Sequence, residues 1–171
     1  MVTYMQIQSQ DQDIRIIFSK TVHGITEMDS LVTDILSFLD EYLMSPQYDS
    51  NCATVIALHG DLGAGKTTFT QLLAKRLGVQ SEVNSPTFTI MKRYTVAHTQ
   101  FTDLIHIDAY RLAEGGDLKM LGIQEVLQKP NHLFCIEWPD IVKDILPRRH
   151  IKIEFEHIDE GSRKVTLSEV L

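Results

Sequence analysis

The chain has 171 residues, 43% of them hydrophobic, and a formal charge of −7 from 16 basic and 23 acidic side chains. That length suits a single domain over residues 1–171 with a core large enough to need no staples, and the acidity argues against a broad electropositive face that grips nucleic acid directly. No apolar run approaches a membrane span, residues 1–13 lack the pattern of a secretory signal, and Cys52 and Cys135 stand far apart in apolar stretches, as two buried thiols of a reducing, cytoplasmic compartment do.

In chain order, residues 1–13 are polar and are expected to be flexible or loosely packed, and residues 14–22 read as a first strand. Residues 29–43 repeat apolar side chains at helical spacing (Leu31, Ile35, Leu36, Leu39, Leu43), with Asp29 or Ser30 as the cap. A polar loop with Pro46 leads into the short, β-branched run 53–59, which has the character of a buried strand. After a glycine-rich turn the pattern is helical over 66–77 and stops at Gly78. Residues 87–96 and 101–108 read as strands joined by the turn 97–100, residues 117–128 as a helix and 132–137 as another apolar strand. A short helical piece at 140–146 ends at Pro147, and 151–158 with 163–170 form a closing hairpin. This order predicts an α/β fold of the P-loop NTPase kind, with a mainly parallel central sheet, antiparallel edge strands and flanking helices.

The turn between the run 53–59 and its helix is Gly60-Asp61-Leu62-Gly63-Ala64-Gly65-Lys66-Thr67, a full match to G-x-x-x-x-G-K-[ST] in the strand–loop–helix context that motif requires. The glycines allow successive backbone N–H groups to face phosphate oxygens, and the helix N-terminus adds its positive end. Lys66 supplies a cation for the β and γ phosphates, the Thr67 hydroxyl a ligand for Mg²⁺, and Thr68 a contact to the α phosphate. Hydrolysis also needs carboxylates for metal and water, and two apolar strands end in one: Leu104-Ile105-His106-Ile107-Asp108 and Leu133-Phe134-Cys135-Ile136-Glu137. Ligands of open parallel sheets sit beyond the carboxyl ends of strands, so both acids are expected beside the phosphate loop. Spacing does not decide which of the two touches the metal directly.

The phosphate loop with Thr68, then Ser85-Pro86-Thr87-Phe88, then His106-Ile107-Asp108-Ala109-Tyr110-Arg111-Leu112, then Ile136-Glu137-Trp138, together resemble the TsaE family, also called YjeE, over about residues 20–165. The resemblance implies an ATPase that supports the TsaB–TsaD pair in forming threonylcarbamoyladenosine beside the anticodon of transfer RNA, reaching the RNA only through that complex. It implies Thr67 and Glu137 as metal-site residues, Asp108 as an acid required for hydrolysis and also near the metal, and Thr87 as a switch residue that senses the γ-phosphate. Trp138 is a candidate to contact the partner or close over the site, although a packed aromatic is its ordinary reading. Residues 21–26 and the turn near Ser162 and Arg163 fall where the family approaches the adenine base, and Arg111 is expected in a structural ion pair. Ala109 stands where the family often has leucine, and residues 94–102 are long and polar. A small-molecule kinase using Arg148 and Arg149 is the alternative, against which no arginine-bearing lid segment is found. The basic group Lys143, Arg148, Arg149 and Lys152 is read as a solvated rim at one end of the sheet. A guanine-reading Asn-Lys-x-Asp element is absent, and a binding module without hydrolysis is disfavoured by the intact Lys66, Thr67, Asp108 and Glu137.

Overall fold

A computed structural model describes residues 5–9, 12–45, 51–113 and 115–171, with side chains from residue 14 onward. The run TVIALH is buried on both faces, and its β-branched and apolar side chains make it the strand β3 (Thr54–His59), flanked on both edges by parallel partners. Those partners are β6 (His132–Glu137) and β7 (His150–His157); β5 (Asp103–Asp108) continues the parallel set beyond β6. Around this parallel centre the edges turn antiparallel. On one side β8 (Ser162–Val170), β2 (Gln12–His23) and β1 (Met5–Ser9) follow β7, and on the other β4 (Met91–Thr95) follows β5. The eight strands lie in the order β1-β2-β8-β7-β3-β6-β5-β4, an α/β sheet of the expected kind.

Two helices cover one face. In α1 (Gly24–Leu43) and α2 (Lys66–Arg76), Leu31, Val32, Ile35, Leu39, Phe69 and Leu73 are buried in one core with Ile56, Leu58, Leu104, Ile151 and Leu167 of the sheet. The opposite face carries α3 (Gly116–Met120), α4 (Ile123–Leu127) and a 3₁₀ helix, Pro139–Ile145. Leu118, Ile123 and Val142 pack there against Val55, Ile105, Phe134 and Ile136. Alternate residues of each parallel strand serve alternate faces. Leu104, His106 and Asp108 of β5 therefore share the α2 side with Leu133, Cys135 and Glu137 of β6.

Several local readings change. Helix α1 begins at Gly24, and neither Asp29 nor Ser30 caps it: Asp29 accepts 3.0 and 2.5 Å bonds from Arg76 of α2, while the Glu27 carboxylate accepts the His23 N–H at 2.7 Å. The strand expected over 87–96 is confined to Met91–Thr95. The N–H groups of Thr89 and Ile90 both donate to the Pro86 carbonyl, at 2.9 and 2.6 Å, and fold this stretch into a turn with Ile90 at φ 66°. The helix expected over 117–128 is two short helices, separated at Gly122 with φ 73°. Strand β1 precedes the first strand read from the sequence and pairs with β2; residues 1–4, 10 and 11 lie outside the described residues. Of the two cysteines expected to be buried, only Cys135 is; Cys52 is half-exposed. The long connection 94–102 buries Tyr94, Val96 and Phe101, so its polar composition conceals core residues.

Candidate nucleotide site

The C-terminal ends of the parallel strands deliver the loop 60–67, Asp108 and Glu137 to one edge of the sheet. Asp108 and Glu137 stand opposite each other in the register of β5 and β6, so two carboxylates lie side by side. With Lys66, Thr67, Thr68, Ser85, Thr87 and Trp138 they line a cleft of about 300 Å³. A second cleft of about 220 Å³ shares Gly63, Gly65 and Thr68 with it and runs toward Val22, Ile25, Met28, Gly161 and Arg163. The segments the resemblance linked with adenine thus border the second cleft. A larger cavity, about 560 Å³, lies at the opposite end of the sheet near Cys52 and Pro147; chemistry rather than volume selects the site.

Within the cleft the two acids have separate partners. The Thr67 hydroxyl donates across both oxygens of Glu137, 2.8 Å from Oε1 and 3.1 Å from Oε2, and His106 Nε2 lies 2.8 Å from Oε1. Asp108 Oδ2 accepts the Thr87 hydroxyl at 2.5 Å, and its Oδ1 accepts the Tyr110 N–H at 3.1 Å. Ser85 Oγ is 2.6 Å from Thr87 Oγ1. Both acids are nearly inaccessible, at 3% for Glu137 and 5% for Asp108. Burial pushes the Lys66 ammonium below its usual pKa, against the opposing pull of Glu137, Asp108 and Asp61. Its Nζ donates to the carbonyls of Gly60 at 2.6 Å and Asp61 at 2.8 Å and stands 4.2 Å from the centre of the Trp138 ring.

The backbone geometry explains why this sequence makes the loop. Gly60, Gly63 and Gly65 have φ of 139°, 77° and 109°, a region that side chains resist. From Lys66 onward the chain is helical, with the Phe69 N–H bonded to the Gly65 carbonyl at 2.8 Å. On the far side, Arg163 of β8 donates to the Gly63 carbonyl at 3.3 Å.

Leu62 to Thr68, Thr87, Asp108 and Glu137 line the two clefts at this edge, and Gly60 and Asp61 join them through the carbonyls that hold Lys66. Thr87 lies in the turn after Pro86 and not in a strand. Trp138 covers Lys66, and Arg111 stacks 4.5 Å over the ring of Phe88; among the described residues no carboxylate forms the expected ion pair with it. Arg148 and Arg149 border a cavity with Ala53, Thr54 and His150, at the end of the sheet remote from the phosphate loop, which leaves the kinase alternative without its cations. His106 has no role assigned from the sequence, and Ser85 enters there only as part of the switch-like segment 85–88 that the family resemblance implies. The signal for His106 was a polar side chain two residues before Asp108 in an otherwise apolar strand, and hence on the same face.

The profile of a family described as threonylcarbamoyl adenosine biosynthesis protein TsaE matches residues 27–165. A protein of Bacillus subtilis named tRNA threonylcarbamoyladenosine biosynthesis protein TsaE is 36% identical over 116 residues, covering 68% of this chain and 70% of its own length. One of the same name from Treponema pallidum is 38% identical over 115 residues, covering 67% and 82%. The crystal structure of Bacillus subtilis YdiB superposes with a TM-score of 0.65 at 24% identity, covering 94% of this chain and 88% of that one, and supports the fold. Because the profile takes in the phosphate loop, the turn after Ser85 and both acidic strand ends, the chain belongs to the TsaE family.

Proposed function

We propose that this protein is a cytoplasmic ATPase that binds ATP and Mg²⁺ at the cleft described above, hydrolyses ATP slowly, and supports the TsaB–TsaD pair in forming N6-threonylcarbamoyladenosine next to the anticodon of transfer RNA. The observation that carries the reading is the convergence of the phosphate loop with two differently partnered acids in one cleft. The names of the related proteins supply the pathway. Transfer RNA is reached through the partner complex, in keeping with the net charge of −7. Among the described residues no helix is long and apolar enough to cross a membrane.

Lys66 exchanges its two carbonyl partners for the β and γ phosphates, while the loop N–H groups and the N-terminus of α2 face the same oxygens. The donor set suits Mg²⁺: the Thr67 hydroxyl and the Glu137 and Asp108 carboxylates are all hard oxygens. Among the described residues no cluster of three or more His, Cys, Asp or Glu forms an all-protein cage, which suits a cation shared with substrate phosphates. Bound there, Mg²⁺ would neutralise phosphate charge. Thr67 fits this role, because its O–H points to Glu137 and its lone pairs remain free. Asp108, tied to the Ser85–Thr87 turn, is the acid placed to orient an attacking water and hold its proton. Slow turnover is expected of this cleft, because among the described residues no arginine lines it to stabilise the transferred phosphoryl group.

The test is ATP hydrolysis by the purified chain with Mg²⁺, alone and with TsaB and TsaD. We expect slow turnover alone, stimulation by the pair, loss of nucleotide binding in Lys66→Ala, and about a tenfold or greater loss of turnover in Glu137→Ala. Turnover retained in an Asp108→Ala, Glu137→Ala double variant would sink the site assignment. Failure of the pair to bind or stimulate would reduce the reading to a nucleotide binder.

A further inference from the structure

We propose that His106 is a positioning residue, whose ring holds the Glu137 carboxylate in the orientation that the Thr67 side of the site requires. The proposal rests on the reading of Glu137 as the metal-site acid. His106 is fully buried in β5, on the face that packs against α2. Its Nε2 lies 2.8 Å from Glu137 Oε1, across from β6. An ionised carboxylate only accepts hydrogen bonds, so Nε2 is the donor.

The distribution of bonds gives this contact its consequence. Oε1 of Glu137 receives both His106, at 2.8 Å, and the shorter Thr67 contact, at 2.8 Å, whereas Oε2 receives only the longer Thr67 contact, at 3.1 Å. One oxygen is therefore saturated by the protein and the other keeps an open lone pair. That asymmetry restrains the side-chain rotation of a carboxylate buried to 3% accessibility and leaves Oε2, with the lone pairs of Thr67, as the oxygens that would hold a cation. Imidazole suits this role because a flat, rigid donor locked in a strand turns much less freely than a lysine or a hydroxyl. Among the described residues Nδ1 of the same ring has no hydrogen-bond partner.

Support from outside the metal site links to metal affinity in a way packing does not. Removing such a partner typically costs about 10–100-fold in metal affinity or activity. The decisive measurement is the binding of a fluorescent ATP analogue to the full chain at graded Mg²⁺ and in EDTA, for wild type, His106→Leu, His106→Gln and Glu137→Gln, with thermal unfolding of each. We expect His106→Leu to raise the Mg²⁺ concentration needed for half-maximal tightening about tenfold or more, to leave affinity in EDTA unchanged, and to be rescued in large part by His106→Gln, whose amide also donates. If both His106 variants lower the unfolding midpoint and neither moves the Mg²⁺ dependence, His106 is a packing residue and the proposal fails. If Glu137→Gln leaves the Mg²⁺ dependence unmoved, the reading of Glu137 fails first, independently of His106. Should His106→Leu not fold, ¹⁵N spectra of the wild-type ring decide: a proton on Nε2 is required, and a ring protonated at Nδ1 alone overturns the proposal.

Discussion

Lys66 sits in an electrostatic conflict that its neighbours only partly relieve. Burial lowers its affinity for a proton, Glu137, Asp108 and Asp61 raise it, and the ammonium is held between two backbone carbonyls and the face of Trp138, 4.2 Å away. A phosphate group offers this cation a stronger partner than either carbonyl, so ligand binding should draw it away from the indole. Trp138 is the single tryptophan of the chain. Its emission should therefore change on addition of ATP, saturably, and the change should vanish in Lys66→Ala; an emission spectrum indifferent to nucleotide would show that the ammonium stays where it is. The motif named the lysine, but the cation–π contact joins residues far apart in sequence.

The phosphate loop is held by its neighbouring strand as well as by its own glycines. A Cβ at Gly60, whose φ is 139°, would come within 2.6 Å of the Phe155 carbonyl oxygen on β7, whereas one at Gly63 meets nothing within 4 Å. Gly60→Ala therefore carries a backbone collision in addition to about 1–3 kcal/mol of conformational strain. Gly63→Ala carries the strain alone. We expect the first to lower the thermal midpoint clearly more than the second and to weaken ATP binding by displacing the loop from β7; equal midpoints would contradict this. At the same scale, the motif foretold the loop and α2, but not the turn after Pro86 or the break at Gly122. Carbonyl acceptance by Pro86 and a left-handed glycine override the local preference for extended or helical structure.

The parallel centre of the sheet divides the molecule into two ends with different chemistry. The carboxyl ends of β3, β5 and β6 carry the site, while the opposite ends of β6 and β7 carry His132 and His150, both buried. Burial holds both imidazoles below the usual histidine pKa, with Asp103 near His132 and the Pro147 carbonyl at 2.9 Å from His150 opposing it only in part. The folded state thus takes up these protons less readily than the unfolded chain. Their contribution to stability is complete above about pH 6.5 and is lost as pH falls toward and through the lowered values. Urea midpoints should decline on acidification below about pH 6.5, and the decline should flatten in His132→Gln and His150→Gln; identical slopes in wild type and variants would reject these two residues as its source. The phosphate loop, the strand and helix that flank it, and the two acids that close apolar strands are legible in the sequence, because a motif and a period of two are local properties of the chain; β1 and the split of the 117–128 helix are not. The family resemblance already groups Thr67 with Glu137 at the metal site, but the hydrogen bond that joins them across 70 residues, and the one that joins Thr87 to Asp108 across 21, come from the tertiary structure. Those pairings follow from the parallel register that sets Asp108 beside Glu137 and from the way α2 crosses the strands, and neither is a property of any single segment.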